Sequence, residues 1–339
     1  MEKQQTIKSI LTEFTKEMKR ELLIKLQEEL NVKRLEIPSK EELLETRYSD
    51  GFYCPHCGSV EVIKSGMQTG KQRYKCKCCK KTYNDNFQTL IYWSKSEIEK
   101  WCEYAECMIN GFSIRKCAKI LDISIPTSFS WRHKILQCAR LNSGVGDVSG
   151  IVEADETFFP ESFKGSKILP RTPHKRGKSG KKRGISNEKI CVFTAKDRDA
   201  GLIIEPLCKG RMTSNQLEQL FKGHIEKNSI LCTDSHKSYI QLENSLTLTH
   251  IQIEPKKYTN GIYHIQHINS LHSGLKGWME RFHGVATKYL DNYMHWFKWL
   301  EKSVNILFSL TPKLLFLTGI KTLGFIKISD FKFKKLAIT

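Results

Sequence analysis

The sequence predicts a multidomain α/β protein in which two small modules, one metal-bound and one helical, precede a mixed-sheet core. Three observations carry this expectation. Four cysteines near the amino terminus form a C-x2-C-x18-C-x2-C array. A block of helical periodicity follows. Beyond a polar, glycine-containing linker at 142–147, short apolar strands alternate with helices. A chain of 339 residues has room for two or three domains with substantial cores. Its 55 Lys and Arg against 36 Asp and Glu leave a net charge of +19, a field that attracts phosphate backbones and makes such binding fall with salt. Nucleic acid is the expected partner. An anionic membrane surface competes on charge alone, but no apolar run can span a bilayer: Val304–Phe325 is interrupted by Pro312, Lys313 and Lys321.

Taken in order, residues 1–46 form an amphipathic N-terminal segment. Ile7, Ile10, Leu11, Phe14, Met18, Leu22, Leu26 and Leu30 recur at three- and four-residue intervals. Such a stripe usually packs on its own domain; oligomerisation is the alternative. Residues 47–90 read as a zinc ribbon. Cys54 and Cys57, with Cys76 and Cys79, offer four thiolates in two knuckles to one tetrahedral structural zinc ion, and Cys78 is the spectator. A disulfide framework is disfavoured because the chain carries no secretory signal and reads as cytosolic.

Residues 94–141 read as three helices, the last two a helix-turn-helix. Ser94–Glu97 offers a capping box to the first, and Asn110-Gly111 ends it. The second follows Ser113, carries Ile114, Cys117, Ala118 and Leu121, and stops near Asp122. The third begins around Pro126 and presents Arg132, His133 and Lys134 as candidate DNA contacts. A plain three-helix bundle is the alternative. The core, residues 147–303, has expected strands at 150–157, 189–195, 201–207, 229–233 and 248–253, a helix near 214–226, and helices after Asn269. Between its first two strands, residues 164–183 hold nine Lys or Arg and no acid. Lys175, Arg176, Lys178, Lys181, Lys182 and Arg183 are candidates for phosphate contact, against the plainer reading of a solvated loop. The apolar and basic tail, 304–339, reads as a packed or partner-binding helix.

Acidic residues are disfavoured in strands unless exposed or needed, so Asp155 on the first core strand and Asp234 closing a later one invite a metal-site reading. Hard oxygen ligands of this kind suit magnesium beside a substrate phosphate. On those two alone, surface carboxylates would remain the better reading. In His267-Ile268-Asn269-Ser270-Leu271-His272-Ser273-Gly274-Leu275-Lys276, however, Asn269, His272, Ser273 and Lys276 fall on one helical face.

With these residues in view, the chain resembles bacterial insertion-sequence transposases of the DDE superfamily, specifically the ISXO-like group with an N-terminal zinc ribbon. The resemblance is carried by Val152–Thr157 with Ser162–Gly165, Ala195–Arg198, Thr233–Tyr239, His267–Lys276, and the aromatic Tyr289–Tyr293 with Trp296-Phe297. It covers roughly residues 50–300. It implies an RNase H-like core in which Asp155 and Asp234 are the first two catalytic metal ligands, Asn269 stands at the third position, and Lys276 holds a phosphate. The usual third member is Glu; some members carry Asp, Asp, Asn and a downstream Lys, as here. An Asn carbonyl can ligate magnesium but brings no charge and no base, so Glu153, Glu156 or Glu280 could be borrowed. The resemblance further implies Mg2+ or Mn2+ at the catalytic site and one structural Zn2+. The implied partners are terminal inverted repeats and target DNA, bound by a homo-oligomer, with no membrane and a cytoplasmic, nucleoid-associated location. The implied reaction is metal-dependent hydrolysis at the element ends, followed by joining of the 3′-hydroxyl to target DNA. A non-catalytic DNA-binding regulator, an inactivated copy and a stand-alone nuclease are the competing readings.

Overall fold

A computed structural model describes residues 35–170, 172, 184–234, 237–239, 241–254, 259–303, 311–322, 324 and 331. The amphipathic stripe of residues 6–30 lies outside the described residues.

The first described element, α1 (Lys40–Arg47), starts from a complete capping box between Ser39 and Glu42. At its other end the buried Arg47 donates to the carbonyls of Asp85 and Phe87, both at 3.2 Å. Between these contacts stands a small antiparallel sheet of β1 (Val62–Gln68), β2 (Lys71–Cys76) and β3 (Thr82–Asn84). Its core is too small to hold a fold alone: Cys54, Tyr74, Cys76, Tyr83 and Phe87.

Three helices follow: α2 (Ile98–Ile109), α3 (Ile114–Leu121) and α4 (Ile125–Ser143). The capping box expected at Ser94–Glu97 does not form. Instead the Ser94 hydroxyl takes the Ser96 amide and the Trp101 indole N–H, and α2 begins at Ile98 without a side-chain cap. The turn between α3 and α4 is short. Asp122 at φ 52° ends α3, and Ser124 caps α4 by accepting from the Thr127 amide. Trp131 of α4 stacks on Trp101 of α2 with centroids 4.0 Å apart.

The core is one mixed sheet of β4 (Ile151–Pro160), β5 (Lys189–Asp197), β6 (Leu202–Lys209), β7 (Ile230–Thr233) and β8 (Thr249–Gln252), in the order β6-β5-β4-β7-β8. The first three run antiparallel, while β7 and β8 join β4 in parallel. This is the RNase H-like arrangement. Each strand lies within three residues of its expected limits, because alternation and flanking turns mark them well. Helix α5 (Ser214–Phe221) is shorter than expected, the chain turning away at Gly223, φ 83°. After α6 (Leu242–Leu246), a two-residue hairpin, β9 (Thr259–Asn260) and β10 (Tyr263–His264), leads into α7 (Gln266–Glu280).

The two sheet faces have different partners. Val152, Ala154, Cys191, Phe193 and Ile203 meet Leu217, Phe221 and Tyr239 on one side. Ile190, Val192, Leu202 and Ile204 join α2, α3, α4, α7 and α8 (Leu290–Lys302) on the other, in a single cluster with α9 (Thr311–Lys321). The helical segment read as a separate unit at 94–141 therefore has no core of its own. Part of the expected tail also belongs to that layer: α9 packs on α2, α4 and α1. Its Gly319 carbonyl takes the Leu90 amide at 3.0 Å. A Cβ at Gly319 would lie 2.5 Å from the Leu90 side chain, so glycine is what permits the approach.

Among the described residues no helix is long and apolar enough to cross a membrane.

Candidate metal and nucleic-acid sites

The ribbon brings the expected four thiols together. Cys54, Cys57, Cys76 and Cys79 offer sulfurs within 4.8 Å of one another, and Cys78 is excluded. Each knuckle turns through a left-handed residue directly after its second cysteine, Gly58 at φ 76° and Lys80 at φ 63°. Donation from the Cys79 amide pulls the Cys76 thiol down to about 7, towards the thiolate that a metal takes. This cluster can hold a zinc ion. Small modules of this kind draw about 10–16 kcal/mol from the metal at pH 7. Cys57→Ser is therefore expected to abolish a stoichiometry of one zinc per chain and to unfold β1–β3 while the core keeps its melting transition. Equal zinc content in wild type and variant would remove the assignment.

In the core, β4 and β7 pair in parallel through Glu153 opposite Cys232. Two residues further along each chain come Asp155, midway along β4, and Asp234, directly after β7, just past the last pair of the parallel ladder. Asp155 lies on the helical-layer face with Thr194, its neighbour on β5. Burial pushes its carboxyl up to about 7, the charges of Glu156 and Asp234 add to the rise, and the Glu156 amide and Lys276 oppose it. Glu156, one residue on, projects to the opposite face. It accepts from the Tyr239 hydroxyl at 3.0 Å, and burial with the charge of Asp234 raises it to about 7 as well. A carboxyl raised as Asp155 is holds a proton that a divalent cation would displace.

Helix α7 carries the third piece. His272 is 7 % exposed; its Nδ1 lies 3.7 Å from Asp155 Oδ2 and its Nε2 lies 2.6 Å from Thr194 Oγ1. Burial first, and Lys276 second, depress the imidazole to about 4, leaving it neutral. Asn269 is exposed one turn before His272, and Lys276 lies one turn after it. Glu280 is a poor substitute for Asn269, since eleven residues of helix separate them by about 16 Å.

Glu153 is also taken. Only 1 % exposed, its Oε2 accepts from the His267 and Ile268 amides at 2.9 and 3.2 Å, which caps α7 from another strand. Its Oε1 meets His267 Nδ1 at 2.7 Å, Arg198 at 3.2 Å and His264 Nδ1 at 3.3 Å. Helix α7 has no cap of its own, because Ile265 precedes it. Sequence reasoning offered Glu153 only as a spare ligand. The signal that could have corrected this is a helix start without a local Ser, Thr, Asp or Asn.

The candidate DNA contacts on α4 need correction. Arg132 is fully buried: it donates to the Phe112 carbonyl at 2.6 Å and to Cys117 at 3.3 Å, and lies over the Trp296 ring. His133 is buried among Phe129, Tyr289 and Phe331, and Lys134 is half-buried. Helices α8 and α9 close over the middle of α4, so its first turn and its last, at Leu141 and Asn142, stay open. The basic groups that the pair does expose are Arg115, Lys116 and Lys119 of α3. The inward Cys117, Ala118 and Leu121 already imply that outer face by helical spacing. Lys175, Arg176, Lys178, Lys181, Lys182 and Arg183 lie outside the described residues.

Residues 147–301 match the ISXO2-like transposase domain. Over 261 residues, 76 % of this chain and 87 % of the relative, the sequence is 27 % identical to an uncharacterized protein in transposable element ISH50 of Halobacterium salinarum. Among solved structures, a simian T-cell lymphotropic virus intasome in complex with PP2A regulatory subunit B56 gamma is similar over 60 % of this chain and 69 % of its own, at 14 % identity and TM-score 0.28. A pre-cleavage Mos1 transpososome is similar over 62 % and 75 %, at 11 % identity and TM-score 0.22. Overlaps this slight add nothing to the sheet topology.

Proposed function

Since residues 147–301 are an ISXO2-like transposase domain of the DDE type, we propose that the protein is a DNA transposase that cuts the ends of its insertion sequence and joins them to target DNA. The observation that supports the reading is the parallel register of β4 and β7, whose last pair stands two residues before Asp155 and Asp234, with α7 packed against β4. The raised Asp155 carboxyl and the neutral imidazole beside it suit a divalent cation. Asp155, Asp234 and the Asn269 carbonyl would hold Mg2+ or Mn2+, which supplies, when bound, a Lewis acid that acidifies the attacking hydroxyl and offsets charge on the phosphate. Lys276, whose charge already reaches Asp155, would orient a phosphate oxygen there.

End recognition falls to the ribbon and to the outer face of α3 with the first turn of α4. Arg115, Lys116 and Lys119 supply phosphate contacts, and Ser124–Pro126 faces the groove. The nine basic residues at 164–183 add binding without sequence preference.

A second reading, a regulator that binds DNA without cutting it, is favoured by the uncharged Asn269 at the third position. One experiment separates the readings. The zinc-loaded chain is incubated with Mg2+ or Mn2+ and the inverted repeats that flank its gene. Joined products are expected. Cutting without joining would make it a nuclease, and binding alone would favour the regulator.

A further inference from the structure

We propose that His272 is itself a ligand of the catalytic metal, binding through Nδ1 to an ion shared with Asp155 and turning the site from magnesium towards manganese. The inference rests on the transposase reading only for the name of the site; its chemistry comes from one hydroxyl proton. Thr194 Oγ1 lies 2.8 Å from the Asp155 carbonyl oxygen and 2.6 Å from His272 Nε2. A carbonyl can only accept, so the single Thr194 proton goes to it, and Oγ1 then receives the proton on Nε2. That fixes the tautomer, and Nδ1 carries a lone pair.

The other tautomer is worse on both sides of the ring. Placing the proton on Nδ1 would aim it at Asp155 Oδ2 across 3.7 Å, beyond the reach of an N–H···O hydrogen bond, and would give up the Nε2–H donation. The favoured tautomer sets a ring lone pair beside a carboxyl oxygen, with His272 buried and the Asp155 side chain 19 % exposed. Left alone the two repel; a cation between them satisfies both. A separation of 3.7 Å is less than twice a ligand bond of about 2.1 Å, so one ion spans it. The arrangement is that of a metal-bound histidine whose second ring nitrogen is held by its surroundings. The hydroxyl that orients the ring is itself anchored on the backbone of the other ligand.

The consequence is a site whose composition differs from three carboxylates in two respects. Asn269 removes a charge, and His272 adds a softer nitrogen donor. Magnesium favours oxygen and sheds water reluctantly, whereas imidazole suits the transition metals.

Binding to the full-length, zinc-loaded chain, without DNA, tests this directly. Manganese titrations are followed by electron paramagnetic resonance, and pulsed measurements read nitrogen coupling to the bound ion. Wild type should show an imidazole nitrogen coupling and bind manganese about tenfold or more tighter than magnesium. His272→Ala should lose both the coupling and that preference. Thr194→Val leaves the ring in place and removes only the group that fixes its tautomer; it should weaken manganese about tenfold. No coupling in wild type, or coupling that survives in His272→Ala, overturns the assignment. Should His272→Ala fail to fold, unchanged manganese affinity in Thr194→Val overturns it equally. A chain that binds manganese through this nitrogen yet never cuts or joins DNA keeps the assignment and loses the transposase reading. One that joins DNA without the coupling does the reverse.

Discussion

Asp155→Ala and Asp234→Ala are each expected to abolish strand cleavage and joining, lowering the rate about a thousandfold or more, while end binding and the melting transition stay close to wild type. The magnitude follows from several kcal/mol of charge stabilisation lost with an anionic ligand, each 1.36 kcal/mol being about tenfold in rate. The fold should tolerate the change for a local reason. In the absence of metal, burial holds the Asp155 carboxyl near 7, so the folded state is penalised for ionising it. A group whose folded pKa is raised supports stability only at low pH and loses it as pH rises from the ordinary 3.8 towards about 7. At pH 8, then, removing the carboxyl should not destabilise the metal-free protein and can stabilise it. Rates of end cleavage with wild-type and variant protein, beside end binding in calcium and thermal melts at pH 8, make the comparison. Cleavage at the wild-type rate by Asp155→Ala would end the proposed mechanism.

Glu153→Ala should show the opposite balance, a loss of stability of about 3–5 kcal/mol with activity falling as a consequence. The buried carboxylate caps α7 through two backbone amides and meets Arg198, His264 and His267. Deleting it leaves a helix terminus, the Arg198 guanidinium and two imidazoles without their common acceptor. The register between β4, which carries Asp155, and α7, which carries Asn269 and Lys276, is set at this point. Glu153→Gln should cost less, because its carbonyl can still accept from the two amides. Urea denaturation of the three proteins measures the difference. A Glu153→Ala protein as stable as wild type would show that α7 is held by its apolar face alone, through Ile268, Leu271 and Leu275.

Much of this molecule is legible in its sequence, and the boundary of legibility is physical. The ribbon is readable because tetrahedral thiolate binding fixes spacing. The core strands are readable because alternating burial imposes a period of two, and Asp155 and Asp234 stand out as charges where strands should be apolar. The failures share one cause, which is contact between residues distant in sequence. Arg132 looks like a surface cation on a recognition helix until α8 and α9 cover it. Its burial depends on Trp296 and Phe112, which no local pattern links to it. Glu153 looks like a spare carboxylate because the first amide it caps lies 114 residues later. His272 was visible on the polar face of α7, but its tautomer depends on a threonine of another strand. The basic residues at 171 and 173–183, outside the described residues, stay a matter of composition.

The helical layer that α9 completes also sets an order of manufacture. Helix α2 is finished at Ile109 and its partner begins at Thr311, so about 200 residues of synthesis separate the two. At roughly 5–20 residues per second this is about 10–40 s. During that interval the surface of α2 and α4 that receives Leu315, Phe316 and Ile320 lacks those three partners. Polypeptides that terminate early keep every cysteine of the ribbon and every basic residue of α3, yet lack the helix that closes the layer beneath them. Such fragments, with that apolar surface exposed, should be degraded faster than the full-length chain, so that premature termination yields loss of product rather than a persistent partial protein.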